Sequence, residues 1–336
     1  MKILVTGGAG YVGGTVAGLL LDRGQEPVIF DNFCHAQREM LPAGVPLIEG
    51  DLADRPLLES IFAEARTAGR PYDGVMHFAA LIEAGESMKK PEIYFRNNTA
   101  STLSLLEAMH AQQIGKLCFS STAAVYGEPE AVPIPEDARL APTNAYGESK
   151  LLVEHILRWF HSIHGLRYAS LRYFNVAGAP ETSHGIVRGE AHEPESHLIP
   201  IILDVALGRR ESISIYGDDY PTPDGTCIRD YVHVSDLADA HTLAFTALDR
   251  ADLGGRLIYN LGNGQGFSVR EVIESARRVT GHAIPTQLHP RRSGDPAVLV
   301  ASSEKAIREL SWKPRYSQLD EILRTAWTWH QKRYAN

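Results

Sequence analysis

Short apolar runs alternate along the chain with longer stretches in which apolar residues recur every three to four positions. Residues 2–6, 27–30, 47–49, 74–78, 116–120 and 168–174 are compact apolar runs bounded by Gly, Asp or Pro, a pattern that predicts buried strands. Residues 11–23, 56–67, 92–113 and 146–164 carry the helical period. Adjacent parallel strands need a crossover, which is usually a helix, so the alternation predicts an α/β chain with a doubly wound parallel sheet. After about residue 175 the texture changes. Residues 176–197 are rich in Gly, Pro, Glu and His without periodicity, and 217–227 form a second turn-rich stretch. Both read as loops over a binding site. Residues 231–248 return to a strand and helix pattern, so a smaller C-terminal α/β domain interleaves with the first. The expected division is 1–175 with a returning segment near 228–262, against 176–227 and 263–336.

Composition narrows the class without naming a function. The 336 residues are 44% apolar and 22% charged, which excludes collagen-like, wholly disordered and disulfide-scaffold proteins. Lys and Arg number 33 against 41 Asp and Glu, and the resulting charge of −8 opposes a nucleic-acid partner. Cys34, Cys118 and Cys227 stand far apart, with neither a CxxC pair nor a zinc spacing, which fits a reducing, cytoplasmic compartment. Residues 1–6 lack the apolar region of a signal peptide. The apolar stretch 198–207 is broken by Pro200 and Asp204 and is too short for a membrane span.

The first strand runs into Gly7-Gly8-Ala9-Gly10-Tyr11-Val12-Gly13 and then into a helix. Glycines there free the turn and let a pyrophosphate approach, while the helix N-terminus offers N–H groups and positive dipole. A glycine pattern alone is equally a tight turn. Its place between strand and helix, with Asp31 at the end of the next strand, marks a Rossmann-like dinucleotide loop. Asp31 is placed to hold ribose hydroxyls and repels the extra phosphate of NADP, so the expected cofactor is NAD; Arg38 is the one nearby residue that argues otherwise.

Tyr146 and Lys150 are four apart at the start of a helical segment, which puts both on one face. A tyrosine with a pKa near ~10 needs a shift of roughly 3 units to act as a base near neutrality, and a neighbouring ammonium or cationic nicotinamide supplies that direction. YxxxK alone is often only a surface pair; downstream of a cofactor loop it is a candidate acid–base pair. Ser120-Ser121-Thr122 ends a strand, and strand carboxyl ends face the ligand crevice of such sheets. Thr122 is the candidate hydroxyl.

With these residues on the page, the chain resembles the extended short-chain dehydrogenase/reductase superfamily over nearly its whole length. The resemblance rests on residues 5–13, Asp31-Asn32, His77-Phe78-Ala79-Ala80, Gly85-Glu86-Ser87, Asn97-Asn98, 119–127, 146–150 and 171–175. The stretches 219–226, 229–234 and 290–295 are similar to those of its nucleotide-sugar 4-epimerases. That resemblance implies interconversion of UDP-glucose and UDP-galactose. Tyr146 would take the sugar 4-OH proton as hydride passes from C4 to tightly held NAD, the 4-keto sugar would turn over, and hydride would return to its other face. Lys150 would bind the nicotinamide ribose and Thr122 the 4-oxygen. Gly7, Gly10, Tyr11, Val12, Gly13, Asp31, Asn32, Asp51, Leu52, Phe78, Ala79, Ala80, Asn97, Lys150 and Phe174 match cofactor positions. Thr122, Tyr146, Asn175, His197, Leu198, Tyr216, Arg229, Arg292, Asp295 and Leu299 match UDP-sugar positions. The implied domains are NAD-binding and UDP-sugar-binding, and the implied assembly is a homodimer through paired helices, with Leu103, Leu106, Leu151 and Ile156 on packing faces.

Departures from the pattern are Thr122 where Ser is common, Ile82 where some relatives have Lys, and His197 where Asn is common. Leu299 lies between the large and small residues that exclude or admit an N-acetyl group, leaving UDP-N-acetylhexosamine and UDP-pentose as alternatives. A dehydratase or decarboxylase on the same fold needs acid or base groups after Thr122, where this chain has Ala123 and Ala124. A net oxidoreductase would release NADH, and a cofactor-sensing protein would have an eroded YxxxK. His155, His161 and His164 follow a helical pattern, and His184, His192 and His197 share one loop with irregular spacing. They read as solvated or ligand-facing, and no metal is assigned.

Overall fold

The structure, a computed structural model, describes residues 1–182, 185–186, 188–292 and 295–335. The chain divides into two compact units. The first comprises Met1–Gly127, Leu140–Arg172 and Ala238–Tyr259; the second comprises Glu128–Arg139, Tyr173–Leu237 and Asn260–Asn336.

In the first unit the strands are β1 (Lys2–Thr6), β2 (Glu26–Asp31), β3 (Leu47–Glu49), β4 (Gly74–His77), β5 (Lys116–Thr122) and β6 (Arg167–Tyr173). With β12 (Arg256–Leu261) they form a seven-stranded sheet in the order β12-β6-β5-β4-β1-β2-β3. β1 pairs in parallel with β2 and β4, β2 with β3, and β4 with β5. This is a Rossmann-like doubly wound sheet. Its strand order reverses at β1, and ligands of such sheets bind beyond the carboxyl ends of the strands at that point.

The helices α1 (Tyr11–Asp22), α2 (Arg55–Thr67), α3 (Ala84–Ser87), α4 (Pro91–Tyr94), α5 (Ser101–Ala111), α6 (Ala145–His164) and α8 (Val234–Ala247) make the crossovers. Their ends follow local chemistry. Asp54 accepts the Leu57 N–H at 3.0 Å to start α2, Asn144 accepts the Gly147 N–H at 2.8 Å to start α6, and Gly165 at φ 70° stops α6. Leu4, Phe30, Leu58, Val75, Leu105, Phe119, Val153, Leu157 and Tyr168 share one buried core.

The helix expected over 92–113 is not uniform: a π turn, Phe95–Ala100, separates α4 from α5. Asn98 is drawn inward there, and the hydroxyls of Thr102 and Ser101 bond back to the carbonyls of Asn98 (2.6 Å) and Arg96 (3.2 Å). Side-chain bonds of this kind compete with the regular helix ladder. β5 also runs two residues further than expected, to Thr122.

In the second unit β11 (Ile228–His233) is flanked by β7 (Asn175–Ala177) and β15 (Val298–Leu299) in parallel and by β13 (Gly266–Ser268) antiparallel. β10 (Ile213–Tyr216) pairs with β14 (Thr286–His289). The stretch expected to be structureless after residue 175 holds β7 and an antiparallel pair, β8 (Glu181–Thr182) and β9 (Gly185–Ile186). Strands of two or three residues are too short to carry a hydrophobic period. The helices are α7 (Leu198–Ala206), α9 (Val269–Thr280), α10 (Glu304–Leu310) and α11 (Leu319–Arg333). Ile199, Ile202, Ile213, Ile215, Val272, Ile273, Ile322, Leu323 and Trp327 form their core. The segment Glu128–Arg139 is tied in by Ile134, whose N–H donates to Val300 and whose carbonyl accepts from Asn260 Nδ2, both at 2.8 Å. Among the described residues, no helix is long and apolar enough to cross a membrane.

Candidate active site

β1 delivers the glycine loop, and α1 starts at Tyr11 with Gly10 as a cap that offers no side-chain acceptor. No side chain of the cap covers the helix start, the arrangement found at anion sites on helix N-termini. Gly10 and Gly13 are glycine for different reasons. A Cβ on Gly13 would lie 2.3 Å from the Gly7 carbonyl oxygen, so this glycine lets α1 close on the loop. A Cβ on Gly10 would meet only that same oxygen, at 3.3 Å. A side chain at residue 10 needs that oxygen to give by only a few tenths of an ångström, far less than at residue 13, and a glycine there leaves room for a diphosphate to approach.

Asp31 stands at the end of β2, 9% exposed, and accepts the N–H of Ala9 at 3.0 Å and of Phe33 at 2.9 Å. Each carboxylate oxygen retains acceptor capacity for a hydroxyl. Asn32 donates to Asp51 at 2.9 Å, which also accepts the Ala53 N–H at 2.8 Å; Leu52 is buried between them in sequence. Arg38 pairs with Glu49 and lies over the Phe33 ring at 4.2 Å. Phe78, Ala79 and Ala80 leave β4 half-buried, and Asn97 donates to Asn98 at 3.0 Å. Tyr11, Val12 and Gly7 are likewise half-buried. Phe174 is buried in the second unit, its N–H on the Leu261 carbonyl at 3.3 Å.

α6 carries Tyr146 and Lys150 one turn apart, and β5 ends on Thr122. Packing around the Tyr146 ring pushes its hydroxyl up from its usual value, the Thr122 side chain opposes that shift, and the Glu83 charge adds to it. Lys150 is 2% exposed; its ammonium donates to the Ser120 carbonyl at 2.8 Å, and burial pushes its pKa down to about 7.

Of the supporting residues, Ser87, Asn98, Ser121 and Arg172 lie in motif stretches the sequence marks without giving them a role, and Glu154 lies outside those stretches. Ser87 Oγ accepts the Tyr146 N–H at 3.1 Å. Asn98 donates to the Leu81 carbonyl at 2.9 Å and to Ser149 Oγ at 3.0 Å, joining the loop after β4 to α6. Glu154, one turn beyond Lys150, accepts from Arg172 at 2.9 and 2.6 Å and from Ser121 Oγ at 2.6 Å, all buried. The available signal was a charged residue inside an apolar pattern: Arg172 in strand β6 and Glu154 among the inward positions of α6.

In the second unit Arg229 pairs with Asp295 and stands in register with Leu299 on β15. The Arg292 guanidinium lies 4.0 Å from the Tyr216 ring centre. Asn175 starts β7, exposed, and pairs with Tyr231 on β11. Asp230, beside Arg229, is buried and accepts the N–H groups of Asn263 (2.6 Å), Gly264 (3.0 Å) and Ala301 (3.1 Å), which pins the middle of β11. His197 and Leu198 are placed by a different element, the start of α7. Ser293 and Gly294 of the 290–295 motif, and His184, lie outside the described residues.

Leu106 and Leu151 pack into the first unit's interior at 1% and 5% exposure, and the large apolar residues exposed on α5 and α6 are Leu103, Trp159 and Ile163. His192 and His197 are half-buried and meet the carboxylate of Glu190.

A dinucleotide loop on a doubly wound sheet, with a Tyr–Lys pair beside a strand-end hydroxyl, defines an NAD(P)-type enzyme class acting on a carbon–oxygen centre. Comparison with known proteins is more specific. Residues 3–262 match the family model for the NAD dependent epimerase/dehydratase family, and the chain belongs to that family. It is 53% identical over 330 residues to a UDP-glucose 4-epimerase of Streptomyces lividans, covering 98% of this chain and 96% of that protein. A crystal structure of UDP-glucose 4-epimerase from Brucella ovis in complex with NAD matches with TM-score 0.91 at 42% identity, over 97% of each chain. The Bifidobacterium longum UDP-glucose 4-epimerase in complex with NAD+ and UDP matches with TM-score 0.91 at 38% identity, over 100% of this chain and 99% of that one.

Proposed function

We propose that this chain interconverts UDP-glucose and UDP-galactose by transient oxidation at C4, with NAD held through the cycle. The observation that carries this reading is Tyr146 one turn from the buried Lys150 on α6, with the strand-end hydroxyl of Thr122 acting on the Tyr146 phenol. The relatives named above support the substrate and the cofactor. Ala123 and Ala124, which offer neither acid nor base, favour epimerisation over elimination.

The room at Gly10 and the uncapped start of α1 fit a dinucleotide diphosphate. Gly7, Gly10, Tyr11, Val12 and Gly13 would hold it, Asp31 and Asn32 the adenosine ribose, with Asp51, Leu52, Phe78, Ala79, Ala80, Asn97 and Phe174 completing the site. Bound NAD supplies a reversible hydride acceptor at C4 and a positive ring. Tyr146 takes and returns the 4-OH proton, Thr122 holds the 4-oxygen, and Lys150 binds a ribose hydroxyl and favours the phenolate. The upward push that packing gives Tyr146 is opposed by positive charge beside it. Arg229 and Arg292 suit the diphosphate, since a guanidinium donates paired hydrogen bonds to phosphate oxygens. Asn175, His197, Leu198, Tyr216 and Asp295 complete the UDP contacts, and Leu299 sets the room beside C2. On this reading most NAD contacts fall in the first unit and most UDP contacts in the second. The protein is cytoplasmic, and a homodimer forms through the α5/α6 face that bears Leu103, Trp159 and Ile163.

The test is incubation of the purified protein, without added cofactor, with UDP-galactose, UDP-N-acetylgalactosamine and UDP-arabinose separately. Expected is conversion of UDP-galactose to its C4 epimer with no net NADH absorbance; relative rates on the other two report the effect of Leu299. Tyr146→Phe abolishes turnover while UDP and NAD still bind, and Thr122→Ser stays active where Thr122→Val loses most activity. No epimer, even with NAD added, overturns the proposal.

A further inference from the structure

The loop that leads into α7 gathers four side chains that the proposed chemistry does not require as a set. Glu190, His192, Glu195 and His197 each direct one oxygen or nitrogen into a common space, all four atoms lying within 4.8 Å of one another. Glu190 is 8% exposed, and its carboxylate oxygen Oε1 lies 2.9 Å from His197 Nδ1 and 3.4 Å from His192 Nδ1. Glu195 Oε1 lies 2.9 Å from the same His197 nitrogen and also accepts the N–H groups of Ser196 and His197, each at 2.9 Å. His192 Nδ1 is shielded from solvent and has no hydrogen-bond partner. The backbone carries its own anchors: the Glu190 carbonyl accepts Trp329 Nε1 at 3.0 Å and Arg333 Nη1 at 3.5 Å, and Arg333 also reaches Glu193 at 3.2 Å.

One proton does not engage the whole set. One imidazole N–H points in one direction, yet two carboxylate oxygens stand 2.9 Å from His197 Nδ1, and a second imidazole nitrogen in the same space is left without a bond. A cation in the middle engages all four. Zinc with nitrogen ligands near ~2.0 Å and oxygen ligands near ~2.0–2.2 Å in tetrahedral array spaces its ligands about 3.3–3.5 Å apart. The 3.4 Å separation matches such an edge, the two at 2.9 Å open by about half an ångström when the cation replaces the proton, and the remaining atoms, all within 4.8 Å, draw in.

We propose that Glu190, His192, Glu195 and His197 form a site for one divalent first-row transition cation of the zinc class, closing the loop onto the start of α7. Two imidazoles select this class over magnesium and calcium, which prefer all-oxygen shells. The two carboxylates balance the 2+ charge, and the proton on His197 Nδ1 leaves to solvent as the nitrogen becomes a ligand. His197 keeps its Nε2–H free.

The experiment uses the full chain stripped with a chelator. Equilibrium dialysis against Zn²⁺, read by elemental analysis, gives one bound equivalent, and calorimetry in buffers of different ionisation enthalpy shows proton release. Co²⁺ at the site gives the intense visible bands of four-coordinate geometry. His192→Ala and Glu195→Gln each weaken Zn²⁺ binding by more than about tenfold, the loss typical even for an outer partner of a ligand. His155→Ala, an exposed histidine on α6, leaves binding unchanged. Mg²⁺ and Ca²⁺ do not compete. Absence of a stoichiometric equivalent, a six-coordinate Co²⁺ spectrum, or binding indifferent to both loop variants overturns the proposal and leaves a proton-bridged His–Glu cluster.

Discussion

The ammonium of Lys150 donates to the carbonyl oxygen of Ser120, two residues before Thr122 on the same strand. The bond fixes α6 against the end of β5 at the level where Tyr146 meets Thr122. Burial holds Lys150 at about 7, whereas the unfolded chain keeps that proton until its usual 10.5. Between those values the unfolded state binds more protons, so the term makes stability rise with pH, by at most about 1.4 kcal/mol per unit. Lys150→Met removes that slope, which urea midpoints at pH 7 and 9 measure against the parent. Its kcat falls on the order of 10²-fold or more, within the range of general acid–base contributions.

Gly10 and Gly13 separate ligand binding from folding. Gly13→Ala sets a methyl 2.3 Å from the Gly7 oxygen, and overpacking of that kind costs about 1–3 kcal/mol. Gly10→Ala brings its methyl only to 3.3 Å from the same oxygen, so its thermal midpoint without cofactor falls less than that of Gly13→Ala while NAD content after purification drops. Equal losses of stability in the two variants would remove the distinction.

The Glu154–Arg172 pair lies inside the first unit at 5% and 3% side-chain exposure. Glu154→Gln leaves the guanidinium buried without its anion, and breaking one side of such a pair costs about 3–5 kcal/mol. The denaturation midpoint falls accordingly. Replacing both residues with apolar ones of similar volume recovers most of the loss.

His77 is held neutral. Burial first, and the Lys150 charge second, push its pKa down to about 3. Its nitrogens lie 2.6 Å from Thr6 Oγ1 and 2.8 Å from Thr102 Oγ1, and its ring stacks on Phe119. The unfolded chain takes up this proton below its usual 6.5, so the term is present above that value and is lost as pH falls toward 3. His77→Asn flattens the acid limb by up to about 1.4 kcal/mol per pH unit between pH 6 and 4. Stability curves superimposable on those of the parent would refute the assignment.

The sheet and the glycine loop were legible because period and punctuation are local: a strand such as Lys2–Thr6 and a helix such as Ala145–His164 announce themselves within their own residues. Residue types at fixed spacing likewise marked Asp31, Tyr146 and Lys150. What stayed hidden depends on partners distant in sequence. Asn98 acquires its role from Leu81 and Ser149, and the π turn that aims it leaves no signature in a hydrophobic pattern. The irregular spacing of Glu190, His192, Glu195 and His197 matched no helical or strand template, and only the loop's path brings their ligand atoms together.

The interleaved composition of the two units bears on how the chain comes off the ribosome. Met1–Gly127 is followed by twelve residues of the other unit, and the first unit receives its last segment only with Ala238–Tyr259. Domains completed in order of synthesis fold one after another. Here the edge of the large sheet stays unfilled until β12 emerges, and Glu128–Arg139 waits longer still for Val300. Most of the polypeptide must be made before either unit closes. No single cut of the gene yields a fragment holding one whole unit and nothing of the other.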